Sequence, residues 1–183
     1  MTARQTLAPR LADAADRPAA RWLPNSFEWL LALYADNHRR LRRLAAVRDF
    51  APGRYRSRSP GHPDLVLDLL EQQPYTTLMR LSLDIPGGAR PALEPESYWR
   101  VYHDAAQAEV THCRFPEHEM RLFAPSTPAK LLAAYRRRMN SFANKWLEHL
   151  MDSGHGGDRW EPEGPVPTAI REESLAALAE AER

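Results

Sequence analysis

Residues Tyr98 to Phe115, YWRVYHDAAQAEVTHCRF, decide how the rest of the chain is read. Two runs of strand composition, Tyr98–Tyr102 and Ala108–Phe115, flank a short stretch of small and polar residues centred on Asp104-Ala105. That stretch is too brief for anything but a hairpin turn. With a loop of two or four residues, Arg100 faces Glu109, Trp99 faces Val110 and Tyr98 faces Thr111. The register places opposite charges side by side on one face, as cross-strand pairing favours.

Upstream of the hairpin, Tyr75 to Ile85 alternates cleanly. Tyr75, Thr77, Met79, Leu81, Leu83 and Ile85 fall on one face, and Thr76, Arg80, Ser82 and Asp84 on the other. Leu65 to Leu70 is a short apolar run with Asp68 opposed to Leu67 and Leu69, and Gln72-Gln73-Pro74 fits the turn between the two. Pro86-Gly87-Gly88 ends the longer strand.

Two amphipathic helices bracket these four strands. The first runs from about Ser26 to Val47, with Asn25 and Glu28 as a start of capping-box type and Phe27, Leu30, Leu31, Tyr34, Leu41 and Leu44 at helical spacing. The last runs from about Pro128 to Asp152, with Thr127 as N-cap, an apolar stripe from Leu131 to Leu150, and Gly154 as its stop. A sheet with one apolar face needs a covering layer. The expected fold is therefore α+β, a four-stranded antiparallel meander flanked by the N-terminal and C-terminal helices in a two-layer sandwich.

The 183 residues fit a single domain with tails. Residues 1–21, interrupted by Pro9 and Pro18, read as a mobile tail, and residues 22–153 as the domain. Residues 154–183 read as a Gly/Pro linker and a short acidic helix or tail, because Gly154 to Pro167 holds four Gly and three Pro. The segment from Pro52 to Gly61 reads as a polar loop.

Net charge is +1, which excludes a uniformly basic nucleic-acid coat, but the charge is uneven: residues 1–61 carry 12 Arg and 5 acids. Cys113 is the single cysteine, so no intramolecular disulfide and no cysteine-based zinc site can form. The longest apolar run, Leu30 to Ala35, is far short of the ~20 residues of a membrane span, and no signal-peptide pattern opens the chain. These features give the expectation of a cytoplasmic protein without membrane contact.

Three constellations could carry function. Arg39, Arg40, Arg42, Arg43, Arg48, Arg54, Arg56 and Arg58 form a basic segment with Tyr55 available to stack, a pattern that suits phosphate or nucleic acid. Its plain alternative is a solvated helix end whose cations complement the helix dipole. His103 and Asp104 at the hairpin, with Glu109 on the next strand, could serve as a general base with acidic neighbours. Neighbouring side chains at a turn rarely point at each other, so a turn stabilised by Asp104 is the plainer reading. No Gly-rich phosphate loop, nucleophile elbow or His-Glu-x-x-His motif is present, and no cofactor or metal is expected.

The string from Arg100 to Val110, with Tyr75-Thr76-Thr77 before it and Asn140-Ser141-Phe142-Ala143-Asn144-Lys145-Trp146-Leu147 after it, resembles the YqiB-like family of uncharacterised bacterial proteins. Asn37 to Leu44 is similar to that family's first-helix segment, and the likeness covers about residues 25–153. The resemblance implies a small cytoplasmic bacterial protein and transfers no activity. The polar residues that packing does not demand are Arg42, Arg43, Arg100, Tyr102, His103, Asp104 and Glu109. They suggest a non-enzymatic interaction or regulatory domain binding a protein or small anionic ligand. Nucleic-acid binding through residues 39–58 and an enzyme using His103, Asp104 and Glu109 are the alternatives.

Overall fold

The structure, a computed structural model, describes residues 26–85, 93–115, 118–119 and 128–180. Helix α1 spans Phe27–Leu44, β1 Gly53–Ser57, β2 Asp64–Gln72, β3 Thr76–Asp84, β4 Leu93–Tyr102, β5 Gln107–Phe115, β6 His118–Glu119, α2 Ala129–Asp152, β7 Trp160–Gly164 and α3 Thr168–Glu180. All strand pairs are antiparallel, and the order is β6-β5-β4-β3-β2-β1-β7.

The α+β class holds, but the four-stranded sheet does not: among the described residues the sheet has seven strands. Two of the additions fall where the sequence reads as loop. β1 lies in the Arg-rich segment that follows Pro52, and β7 lies in the Gly/Pro stretch after α2. The arginines of β1 are paired with acids of the sheet and the glutamates of β7 with arginines of the β1 segment, so neither strand carries an apolar alternation. Arg54 pairs with Asp68 of β2, and Arg56 with Asp64, Asp84 and Glu163. β6 is a two-residue strand at the far edge, beside β5.

The central hairpin keeps the expected register at Arg100↔Glu109 and Trp99↔Val110, then departs from it. Tyr98 faces His112 because Thr111 is the extra residue of a bulge. The shift keeps Val110 and Cys113 both in the core despite their odd separation.

Both α1 and α2 cover one face of the sheet. Leu41, Leu44, Met139, Ala143, Leu147 and Leu150 pack on Leu65, Leu67, Leu69, Met79, Leu81, Trp99, Val101 and Val110. The two-layer arrangement is incomplete, because α3 lies on the opposite face, where Val166 and Leu175 meet Leu70, Leu78 and Tyr98. Apart from Val66, the strand residues in the middle of that face are polar. A row of charge crosses it from Arg54 through Asp68, Arg80, Glu96 and Arg114 to Glu173 of α3. Asp68 has no solvent exposure and Arg80 has 2%.

Helix ends follow local chemistry. Ser26, rather than Asn25, caps α1, accepting from the Trp29 N–H at 3.1 Å. Pro128 occupies the N-cap of α2, and Thr127, expected there, lies outside the described residues. At the other end of α2, the Gly154 N–H reaches the Met151 carbonyl and the His155 N–H reaches Leu150, a Schellman closure with Gly154 at φ +84°. The chain then passes close to the end of α1. A Cβ at Gly156 would sit 2.8 Å from the Leu44 carbonyl oxygen, so this position needs glycine.

Candidate functional site

The last turn of α1, the 3-10 turn at Val47–Asp49 and the β4–β5 hairpin enclose a cavity of about 220 Å³. Its floor is Leu41, Val47 and Val101, and its polar wall is His38, Arg42, Arg48, Asp49 and His103. His38 and Arg42 stand four residues apart and share one helix face. Strand alternation sends Val101 and His103 towards the helices and Arg100 and Tyr102 to the other side.

The His103 ring is oriented by Thr77, not by Asp104. Its Nε2 lies 2.8 Å from Thr77 Oγ1, and Thr77 is fully buried. Asp104 turns back on its own loop and accepts the Ala105 N–H at 2.9 Å. The His103 main-chain N–H donates to the Tyr75 carbonyl at 2.9 Å, which ties the hairpin to the β2–β3 turn. Gln72 ties that turn to the 3-10 segment, donating to the Arg48 carbonyl at 2.9 Å.

Burial lowers the pKa of both imidazoles. Arg42 and His103 push His38 further down; Arg48 does the same to His103, against a smaller upward pull from Asp104. Near neutral pH the pocket therefore presents two uncharged rings beside two guanidinium groups.

The basic segment divides by pairing. Arg39 and Arg40 hold Asp36, and Arg54, Arg56 and Arg58 are bound to acids of the sheet. Arg42, Arg43 and Arg48 make no ion pair among the described residues. Tyr55 is also occupied, stacked on Phe50 at 4.8 Å with its hydroxyl on the Ala51 carbonyl.

The seven residues picked out by sequence separate into groups. Arg42 and His103 line the cavity. Arg43 is exposed on α1 beside it. Asp104 serves its turn. Arg100, Tyr102 and Glu109 gather away from the cavity, around the Glu109 carboxylate. Tyr102 donates to it at 2.9 Å, Arg136 of α2 lies 3.8 Å from it, and Tyr34 of α1 faces it too. Arg100, His103 and Glu109 thus do not share one concavity.

His38 and Thr77 were not legible as site residues. The helix spacing of His38 to Arg42 was the available signal, whereas Thr77 becomes visible only once β3 and β4 are paired. Among the described residues, no group of three or more His, Cys, Asp or Glu side chains is placed to hold a metal, and no helix is long and apolar enough to cross a membrane.

No curated protein and no solved structure matches the chain. A family model does match, over residues 40–156, and its description is a protein of unknown function, DUF1249. The match takes in Arg42, Arg48, Thr77 and His103 and stops before β7 and α3. It spans well over half of the sequence, and the chain belongs to the DUF1249 family.

Proposed function

We propose that this protein is a non-enzymatic binding or regulatory domain that takes a small anion in the cavity between the Arg-rich end of α1 and the β4–β5 hairpin. The observation that carries the reading is the pairing of the arginines. Arg42 and Arg48 line the same cavity without an acidic partner among the described residues, while five neighbours in the basic segment are bound to acids. Neutral His38 and His103 beside them can each donate an N–H to an anion, and Leu41, Val47 and Val101 lower the local dielectric under it. Asp49 in the same wall disfavours a purely electrostatic sink. The YqiB-like resemblance of the Arg100–Val110 string belongs to the same proposal, and with it a bacterial, cytoplasmic setting.

Nucleic-acid binding along residues 39–58 is less favoured, since the arginines that would track a backbone are largely neutralised within the fold. Chemical-shift mapping with inorganic phosphate tests the anion site. Phosphate is expected to move the His38, Arg42, Arg48 and His103 resonances, and Arg42→Ala/Arg48→Ala to abolish the response. Absence of any phosphate response at low salt would remove the reading.

A further inference from the structure

The cavity wall carries both signs of charge, and they do not cancel. Arg42 enters it from α1, and Arg48 and Asp49 from the 3-10 turn. Asp49 makes no ion pair among the described residues, although two guanidinium groups share the wall with it. His38, 8% exposed, and half-buried His103 complete the polar lining. These side chains offer a bound group many donors and one anionic acceptor. The guanidinium groups and the imidazole N–H groups donate, whereas the Asp49 carboxylate can only accept.

That donor set discriminates among small anions. An oxyanion stripped of every proton meets the arginines and is repelled by Asp49. An α-amino acid has the opposite mismatch: its ammonium brings three N–H donors to a single carboxylate, and its zero net charge leaves the excess guanidinium uncompensated. A tetrahedral oxyanion that keeps an O–H satisfies both signs, with bare oxygens on the arginines and its hydroxyl on Asp49. Such an O–H···O⁻ contact is a charge-assisted hydrogen bond.

We infer that Asp49 makes the cavity selective for inorganic phosphate over sulfate, accepting the phosphate O–H while Arg42 and Arg48 hold the other oxygens. The inference rests on the anion-pocket reading and adds to it an ion and a specificity-determining residue. Sulfate has the same tetrahedral shape and no proton at neutral pH, so it isolates the O–H. A phosphate monoester, with its second pKa at about 6, has also lost its last O–H at slightly alkaline pH and falls on the sulfate side. A cavity of about 220 Å³ takes such an ion together with several waters, at ~30 Å³ of liquid volume each.

Calorimetric titration of the full chain at pH 7.5 with inorganic phosphate, sulfate, methyl phosphate and glycine tests it. Phosphate is expected to bind about 10-fold or more tighter than sulfate, the factor supplied by a hydrogen bond to a charged group at the low end of its range. Methyl phosphate should follow sulfate, and glycine should not bind measurably. Asp49→Asn should bring sulfate to the phosphate level, because an amide can donate to sulfate as well as accept from phosphate. A merely structural Asp49 would weaken both anions in the variant and keep their ratio, and that result overturns the inference. Equal affinity of the unaltered chain for phosphate and sulfate, or for phosphate and methyl phosphate, overturns it too and leaves the anion site standing. Glycine binding tighter than phosphate overturns it by making Asp49 an ammonium partner. Failure of every anion to bind removes the anion site and this inference with it.

Discussion

Asn140 of α2 hydrogen-bonds both main-chain groups of Val110 on β5. Its Oδ1 accepts the Val110 N–H at 2.8 Å and its Nδ2 donates to the Val110 carbonyl at 3.1 Å. These groups point away from β4, along a stretch of β5 that β6 does not reach. An unpaired edge of this kind is open to pairing with another chain, and here a helix side chain closes it. The second donor of Nδ2 goes to the Arg136 carbonyl, and Oδ1 also accepts from Asn37 of α1. Asn144 extends the ladder, donating to Asn37 at 3.0 Å and to Asp36 at 2.7 Å. Asn37 and Asn140 are fully buried, so this amide ladder sets how the two helices, which run in the same direction, sit on the edge.

Asn140→Leu is expected to destabilise the fold by about 2–3 kcal/mol, because the Val110 N–H and carbonyl would be left buried without partners. Urea unfolding measures it. A loss under ~1 kcal/mol would mean that water replaces the amide at the edge.

Asp68 pairs with Arg54 at 2.7 Å and with Arg80 at 3.0 Å, beneath the polar face. Asp68→Ala should cost up to about 3–5 kcal/mol, because buried Arg80 loses one of its two carboxylates and Arg54 loses its partner, and a paired Asp68→Leu/Arg80→Met variant should recover part of that loss, the part due to Arg80. A double variant no more stable than Asp68→Ala would contradict the account.

Thr77→Val removes the partner of the His103 ring. Stability should fall by only about 1 kcal/mol, while the nitrogen resonances of His103 report a changed tautomer balance. An unchanged imidazole spectrum would show that Thr77 does not set the ring.

Stability is expected to decline as pH drops below about 6.5, the unfolded histidine value. His38, His103 and His155 all have lowered pKa values, with burial the largest cause. The unfolded chain then binds more protons than the folded one, so their contribution is complete above the unfolded value and is lost as pH falls toward the folded ones. Asp36 acts in a lower window. Burial alone would raise it, but hydrogen bonds from Arg40, Asn144 and Arg39 hold it at about 2, so its contribution is lost below the ordinary 3.8. Denaturant midpoints at pH 7.5, 6.5 and 5.5 measure the histidine window; a midpoint that rises toward pH 5.5 would contradict it.

The sequence by itself determined the two long helices, the β4–β5 hairpin with its register up to Trp99, and which face of β3 enters the core. Each of these depends on residues close in the chain or on a period-two or helical repeat. The repeat survives because one side meets apolar packing and the other does not. Tertiary structure alone decided β1 and β7, whose arginines and glutamates look like loop until Asp68, Asp84 and Glu163 stand beside them. It also decided the Thr111 bulge and the split of the predicted polar residues between a cavity and the Glu109 cluster. Alternation fixes the side to which a residue points, but the neighbour it meets there depends on strands and helices far away in sequence.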